Sequence, residues 1–595
     1  MFGRLTRFLV IGVPLTLVLV SAVTASANRS ASAVAVPAFS TSQLTAPSGA
    51  DWLSSNGNVL SQRYSTLSQI TGANGSGLKL AWSTPLALAT SPGKKFAGNA
   101  SPLAYNGVLY TQDAWGRVFA NDGATGATLW VFDPQVAQNV PGNGTDLRGI
   151  AIGGGMVYLA LAGTMYGIDA QTGAQVWANQ VADPLTGQGL DAAPIYYNGM
   201  VISGTTGGDW GASCIDFALD AKTGHIKWYY NNIPSNPKAE GWNTWPAHRS
   251  YFGGGAVWDT PSIDPSLGLV YVPVGNPVPY AGFLNGPGKE LNTESVLALK
   301  ADTGKFAWVY QEVHHDLWDY DAMQTPVVAT LKINGKNTDV VDSLNKDAYN
   351  FILNAATGKP ILGAPETPVP QLASVHSYPT QPIPVGDDLI PHVPSDPQAW
   401  QGLAPDGKPY VISTQPYTPY DDQHYTVVAP TYTGGTDWYP SAADPATGTF
   451  FACVNVTDFA YESLPPSEIK PVLFSTGSFS GLKTSSSATS TRTSRLVAVN
   501  LSTNKIVWKY DTPNISCTSP VMVTGGGLVI IGRTDGTFEA HDVTNGNLVW
   551  TKQNLVAGTV QALIPRLMTY QAGGKQYIVA QTSGAVPELD AYTLP

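Results

Sequence analysis

A short pattern, repeated along most of the chain, limits what this sequence can fold into. Residues 120–130 read A-N-D-G-A-T-G-A-T-L-W and residues 167–177 read G-I-D-A-Q-T-G-A-Q-V-W. The pattern returns at 218–228, 298–308, 498–508 and 540–550, each time with Trp ten residues after a small residue. Copies at 354–358 (N-A-A-T-G) and 444–448 (D-P-A-T-G) keep the turn and lose the Trp, and 264–268 (D-P-S-L-G) is a weaker relative. Asp-x-x-Thr-Gly is turn chemistry: the Asp and Thr side chains bind nearby backbone groups and Gly takes positive φ. An alternating apolar strand runs into it and a strand ending in Trp leaves it, so each copy is a β-hairpin.

Most neighbouring copies are 42 to 56 residues apart, which matches a four-stranded propeller blade of roughly 40–50 residues. Two longer gaps of about 80 and 90 residues call for inserts or a drifted turn. The expected fold is all-β, an eight-bladed β-propeller with Trp-docking repeats; counting alone leaves seven or nine blades open. The small residue of each repeat is expected to receive the Trp of the next blade. One propeller domain is expected over residues 49–595, with a Pro-rich insert at 361–430 forming ordered excursions and a flexible Ser/Thr-rich stretch at 475–494. Only 12% of residues are charged, against 61 Gly, 45 Pro and 16 Trp, a balance that suits short strands and turns.

The net charge of −11 argues against a nucleic-acid partner, which needs clustered Lys and Arg. At the N-terminus Arg4 and Arg7 precede an apolar run over residues 8–23, followed by Ala25-Ser26-Ala27. That is the form of a secretory signal peptide, residues 1–27, followed by a linker at 28–48; an uncleaved anchor is the alternative. The mature chain is expected outside the cytoplasm, periplasmic or extracellular, with no membrane span once the signal is removed. The three cysteines, Cys214, Cys453 and Cys517, allow one disulfide and one free thiol, and no C-x-x-C-H run encodes a c-type haem.

Several ordered segments resemble the PQQ-dependent alcohol dehydrogenases, a family of eight-bladed quinoprotein propellers that use pyrroloquinoline quinone. They are Ser61-Gln62-Arg63-Tyr64-Ser65, Gly253-Gly254-Gly255-Ala256-Val257-Trp258-Asp259, Gly275-Asn276-Pro277 and His315-Asp316-Leu317-Trp318-Asp319-Tyr320-Asp321, with Glu366-Thr-Pro-Val-Pro370-Gln371 and Gly435-Thr-Asp-Trp438. The resemblance covers nearly all of the mature chain and implies oxidation of an alcohol or sugar, with electrons leaving to an external acceptor such as a cytochrome or dye. A non-catalytic propeller serving as a binding or assembly scaffold is the alternative.

In that resemblance Asp319 is the catalytic base, and Asp209, Asn276 and Asp319 hold a metal ion. Asp209 stands where the family usually has Glu, so its arm is shorter by one methylene. Asp321 stands where lanthanide-using members carry an extra carboxylate, and an all-oxygen site suits Ca2+ or a lanthanide ion. Taken alone, Gly207-Gly208-Asp209 reads as a turn, and Asp316, Asp319 and Asp321 as a solvated acidic loop. Lys346 falls where a cation faces the reactive cofactor carbonyls and would stabilise a developing oxyanion. Arg148 would pair with a cofactor carboxylate, Trp258 would form the aromatic floor, and Thr206, Gly207 and Gly208 would line its edge. The chain also departs from the family: a vicinal Cys pair aligns near Gly142-Asn143, a cofactor-contacting Glu is Asn99, two Thr are Asp191 and Ala256, and an Asn is Asp437. His314 and His315, beside the acidic motif, are as well explained by turn hydrogen bonds as by catalysis.

Overall fold

The computed structural model describes residues 34–86, 100–136, 147–246, 253–279, 286–465, 467–468, 482–487, 492–556, 559–560, 567–582 and 587–595. Within them, eight sheets of three to five strands follow one another, at residues 103–132, 150–180, 195–231, 262–311, 327–354, 442–513, 522–553 and 568–593. They are the blades of an eight-bladed β-propeller. The last blade is completed from the other end of the chain: Lys79–Pro85 pairs antiparallel with Glu588–Thr593. Tyr64–Ser65 adds in parallel to the seventh.

The repeat explains how the blades form and how they meet. In the turns, the Asp carboxylate takes the backbone as expected: Asp122 Oδ1 accepts from the Ala124 and Thr125 amides and the Thr125 hydroxyl at 2.8–3.0 Å. Asp169 and Asp220 repeat the arrangement. The packing of the Trp corrects the sequence-based expectation. Each small residue faces the Trp of its own hairpin, as in Ala120↔Trp130, Ala218↔Trp228 and Ala298↔Trp308. The Trp then docks on the turn of the following blade. Trp130 Nε1 donates to Ala170 O, Trp177 to Ala221 O, Trp228 to Ala301 O, Trp308 to Ala355 O and Trp508 to Val543 O, at 3.0–3.2 Å.

The turn glycine is what the docked indole requires. At Gly173, Gly224, Gly304, Gly358 and Gly546, φ is 65–74° and a Cβ would come within 2.4–2.8 Å of the indole, so positive φ and contact both select Gly. The fifth blade has no Trp, and Leu331 takes its place against Gly448, 3.1 Å from where a Cβ would lie. Trp82, on the strand that closes the last blade, docks on Gly123 and Gly126 of the first. The sequence repeat misses Trp82 because its hairpin partner, Ala591, lies at the far end of the chain.

Part of the segment read as a linker packs on the propeller: Val36, Phe39 and Leu44 are buried in the core, and Ser40 caps a short helix, Thr41–Thr45, in a capping box with Gln43. The signal-like residues 1–27 lie outside the described residues. In the Pro-rich insert Glu366–Pro368 pairs with Thr380–Pro382, and Val411–Ile412 and Thr426–Val428 join Phe459–Ser463 and Leu482–Ser485 in a further sheet. Of the stretch read as flexible, residues 482–485 form that strand and residues 493–494 begin another, Thr493–Asn500; residues 475–481 and 488–491 lie outside the described residues. Cys453 and Cys517 form a disulfide across 64 residues of chain, and Cys214 is a buried free thiol.

Candidate active site

Glycines bring the candidate residues together. Gly207, with φ 100°, starts the turn Gly208–Trp210 that carries Asp209; a Cβ there would lie 1.7 Å from Gly187 O. A Cβ on Gly208 would come within 3.0 Å of Gly254 Cα and 3.2 Å of Ala256 Cβ, so the edge formed by Thr206, Gly207 and Gly208 lies directly against the segment that leads to Trp258. Gly275 lets Asp321 approach, since a Cβ would sit 2.3 Å from its Oδ1. The Asn276 amide donates to that same oxygen at 2.9 Å, and its Nδ2 reaches Asp209 Oδ1 at 3.3 Å.

The acidic motif is not a solvated loop. Asp316 is 1% exposed and binds the turn after it, accepting from the amides of Trp318, Asp319 and Tyr320 at 2.9–3.2 Å. Burial pushes its carboxyl up to about 6, and the charge of Asp321 adds to the rise against the backbone hydrogen bonds. This turn presents Asp319 at φ 66°, a conformation costly for any residue but Gly and one that clusters at functional sites. Lys346 Nζ lies 2.6 Å from Asp321 Oδ2 and 3.2 Å from Asp319 Oδ2. Burial raises Asp319 well above the carboxylate range; Lys346 opposes the rise, and Asp321 and Asp209 add to it. Burial alone would lower the Lys346 ammonium, yet Asp319 and Asp321 beside it hold it well above the usual lysine range.

Two tryptophans frame the other side. Arg148 places its guanidinium carbon 5.2 Å from the Trp258 ring centre and 4.7 Å from that of Trp438, with the rings 5.9 Å apart edge to face. Lys346 Nζ is 5.9 Å from Trp258. Asp437 is pushed up to about 7 by burial, against the lowering effect of Lys346 and Arg148. Gly435 donates to Lys346 O at 2.8 Å, tying the segment that bears Asp437 and Trp438 to Lys346. Asp209, Asn276, Asp319, Asp321, Lys346, Arg148, Trp258 and Asp437 therefore form one connected constellation; Asn99 and the positions aligned with the vicinal Cys pair lie outside the described residues. His314 and His315 serve the surrounding structure. His314 joins Gln311, Lys289 and Glu366, His315 meets Gly288 O and Val375 O, and burial lowers both to about 4.

Two residues went unassigned from sequence. Trp438, although part of a recognised segment, forms the second wall around Arg148. Glu294 is fully buried at φ 50°, with neither carboxylate oxygen hydrogen-bonded among the described residues and its amide on Gly275 O at 3.3 Å; only a lone Glu ahead of an apolar strand marked it. Among the described residues, no three His, Cys, Asp or Glu side chains are grouped as a ready metal cage.

A family model described as "Glucose/ethanol/alcohol dehydrogenase, beta-propeller domain" matches residues 52–499. The chain belongs to the PQQ-dependent alcohol dehydrogenase family. It is a quinoprotein enzyme, with PQQ as its cofactor. A second model, "Outer membrane protein assembly factor BamB", matches residues 433–593, a stretch made largely of propeller repeat. The chain is 28% identical over 550 residues to quinohemoprotein alcohol dehydrogenase ADH IIB of Pseudomonas putida, covering 90% of this chain and 73% of that one. It is 30% identical over 566 residues to the dehydrogenase subunit of the alcohol dehydrogenase (quinone) of Gluconacetobacter polyoxogenes, covering 89% and 71%. Among solved structures it resembles the quinohemoprotein alcohol dehydrogenase of Comamonas testosteroni at 25% identity and TM-score 0.74, over 92% of this chain and 80% of that chain. A europium-containing methanol dehydrogenase shares the fold at 22% identity and TM-score 0.72, over 92% and 98%.

Proposed function

We propose that this family member is an exported, PQQ- and metal-dependent dehydrogenase that oxidises an alcohol or sugar and passes the electrons to an external acceptor such as a cytochrome. The observation that carries the reading is the closure of Asp319, Asp321 and Lys346 on one another beside the cluster of Trp258, Arg148 and Trp438. PQQ, when bound, supplies the electrophilic carbonyl that takes the substrate hydride. Asp319 takes the hydroxyl proton. Lys346 stands ready for negative charge developing on oxygen, Arg148 offers a fork for a cofactor carboxylate, and Trp258 offers a face for a flat ring.

The donor set fits a hard cation in kind: three carboxylates and an amide, linked through Asn276, with Gly275 leaving the space that Asp321 enters. Asp209, Asn276, Asp319 and Asp321 would hold Ca2+ or a lanthanide ion, which would supply Lewis acidity to the acceptor carbonyl. Lys346 would then give up at least one of its two carboxylates. The apolar N-terminal run and the Cys453–Cys517 disulfide support export to an oxidising compartment, with residues 1–27 as signal and 49–595 as the catalytic propeller. The deciding experiment reconstitutes the purified protein with PQQ and Ca2+ or La3+, then assays dye reduction over alcohols and sugars. PQQ absorbance retained after desalting and metal-dependent turnover are expected; absence of both with every ion refutes the reading.

A further inference from the structure

We propose that Tyr417 is a positioning residue: it joins the turn that carries Asp319 to the turn that carries Lys346, and so fixes the ammonium against the carboxylate. The inference rests on the reading of Asp319 as base and Lys346 as the cation facing the cofactor, and it concerns a residue outside that set. Tyr417 belongs to the Pro-rich insert and is 5% exposed. It stands at φ 55°, a strained conformation held only where the surroundings over-determine it. Its hydroxyl donates to Asp347 Oδ2 at 3.0 Å. Its ring meets those of Trp318 and Tyr320 edge to face, 5.4 and 6.2 Å between centres. Those two residues flank Asp319, and Asp347 follows Lys346.

Both ends of this bridge are anchored again. On one turn, Trp318 Nε1 donates to Thr418 O at 2.9 Å and the Tyr420 hydroxyl donates to Leu317 O. On the other, Asp347 Oδ1 accepts from the Tyr349 amide at 3.1 Å, and the Ala348 amide donates to Asn345 O at 2.8 Å, closing the turn around Lys346. Asp347 is 1% exposed, so loss of the Tyr417 hydroxyl would leave a buried carboxylate oxygen without its donor. That is a penalty which movement of the turn relieves, and Lys346 moves with the turn. The ring contacts with Trp318 and Tyr320 would remain. The hydroxyl thus acts on Lys346 and the ring on the Asp319 turn, and Tyr417→Phe separates the two.

The first measurement uses the full-length apoprotein. Lys346 lies against both Asp319 and Asp321, so a lysine held less firmly gives way to Ca2+ more readily. Calorimetry should show Ca2+ binding about two- to tenfold tighter in Tyr417→Phe than in wild type, the equivalent of one net hydrogen bond. In a Lys346→Met background the same substitution should change nothing, because residues that act through one another are non-additive. After reconstitution with PQQ and Ca2+, Tyr417→Phe should lose about tenfold in kcat with KM for the alcohol unchanged, and lose nothing further in Lys346→Met. Asp347→Ala removes the same hydrogen bond from its other end and should reproduce both effects, which also decides the matter if Tyr417→Phe does not fold. Tyr271→Phe, which loses a buried hydroxyl bond to Ala355 O at 3.0 Å in the fourth blade, should produce neither. Wild-type Ca2+ affinity and kcat in Tyr417→Phe, or equal effects in the Lys346→Met background, overturn the proposal and leave Asp319 and Lys346 in their roles. Wild type that binds no Ca2+, or Lys346→Met that behaves as wild type, overturns the reading beneath it as well.

Discussion

The Lys346 ammonium lies 2.6 Å from Asp321 and 3.2 Å from Asp319, so a single side-chain cation occupies the space between two carboxylates proposed to hold a metal. A metal bound there would compete with the lysine for the same oxygens. Lys346→Met should raise the Ca2+ affinity of the apoprotein at least tenfold, because a unit charge at ~4 Å is worth ~1–4 kcal/mol between water and a partly buried site. Turnover of the reconstituted variant should fall by about 100-fold or more, since the cation facing the developing oxyanion is gone. Calorimetric titration of apoprotein and a dye-linked assay check the two halves; unchanged Ca2+ affinity would remove Lys346 from the site.

Asp319→Asn keeps the shape of the turn that Asp316 organises and removes the base. Turnover should fall by roughly 10²–10⁴-fold, while PQQ absorbance after desalting stays near the wild-type level. Wild-type turnover in this variant would end the assignment of Asp319 as base.

The Arg148 guanidinium packs against both the Trp258 and Trp438 rings, contacts better suited to a planar guanidinium than to an ammonium. Arg148→Lys should weaken PQQ binding by about 1–2 kcal/mol, because an ammonium cannot offer a carboxylate the paired hydrogen bonds of a guanidinium fork, with little change in KM for the alcohol. Fluorescence quenching by added PQQ measures the first and steady-state kinetics the second.

Asp216 is 1% exposed, and burial pushes its carboxyl up to about 8, with nearby Asn232 opposing the rise. The folded state therefore holds a proton that the unfolded chain loses near pH 4. Its contribution is fully present below that pH, is lost as pH rises towards 8, and stays flat beyond, with a slope of about 1.4 kcal/mol per pH unit. Denaturant titrations of apoprotein from pH 4.5 to 8.5 should show Asp216→Asn with a shallower fall than wild type. Equal slopes would mean that Asp216 is ionised throughout.

The disulfide bears on the site through Asn455. Cys517 donates its amide to Asn455 Oδ1 and its carbonyl accepts from Asn455 Nδ2, while the Asn455 amide sits on Gly435 O and Gly435 on Lys346 O. Replacing both Cys453 and Cys517 with Ser should lower stability by about 2–5 kcal/mol, read from the denaturation midpoint, and should loosen PQQ retention as well.

The turn that repeats was legible because Asp, Thr and Gly act locally, within five residues, and each copy states its own geometry. What the Trp touches was misread, because the docking surface is supplied by another blade some 40 residues away and leaves no local mark. Asp319, Asp321 and Lys346 could be placed from the resemblance of their segments, although their mutual closure could not. Glu294 was invisible for a different reason: a single buried carboxylate before the strand Ser295–Lys300 breaks no period and completes no motif. Its place against Gly275 comes only from the fold.

The pairing of Lys79–Pro85 with Glu588–Thr593 also governs when the molecule can finish. The early strand must wait for a partner made about 500 residues later, which at ~5–20 residues per second is about 25–100 s of synthesis. Through that interval the early strand has no partner, and unpaired strand edges recruit other strands. Completion is thus a matter of timing, and anything that delays or removes the final strand leaves a ring that has folded everywhere except at its clasp.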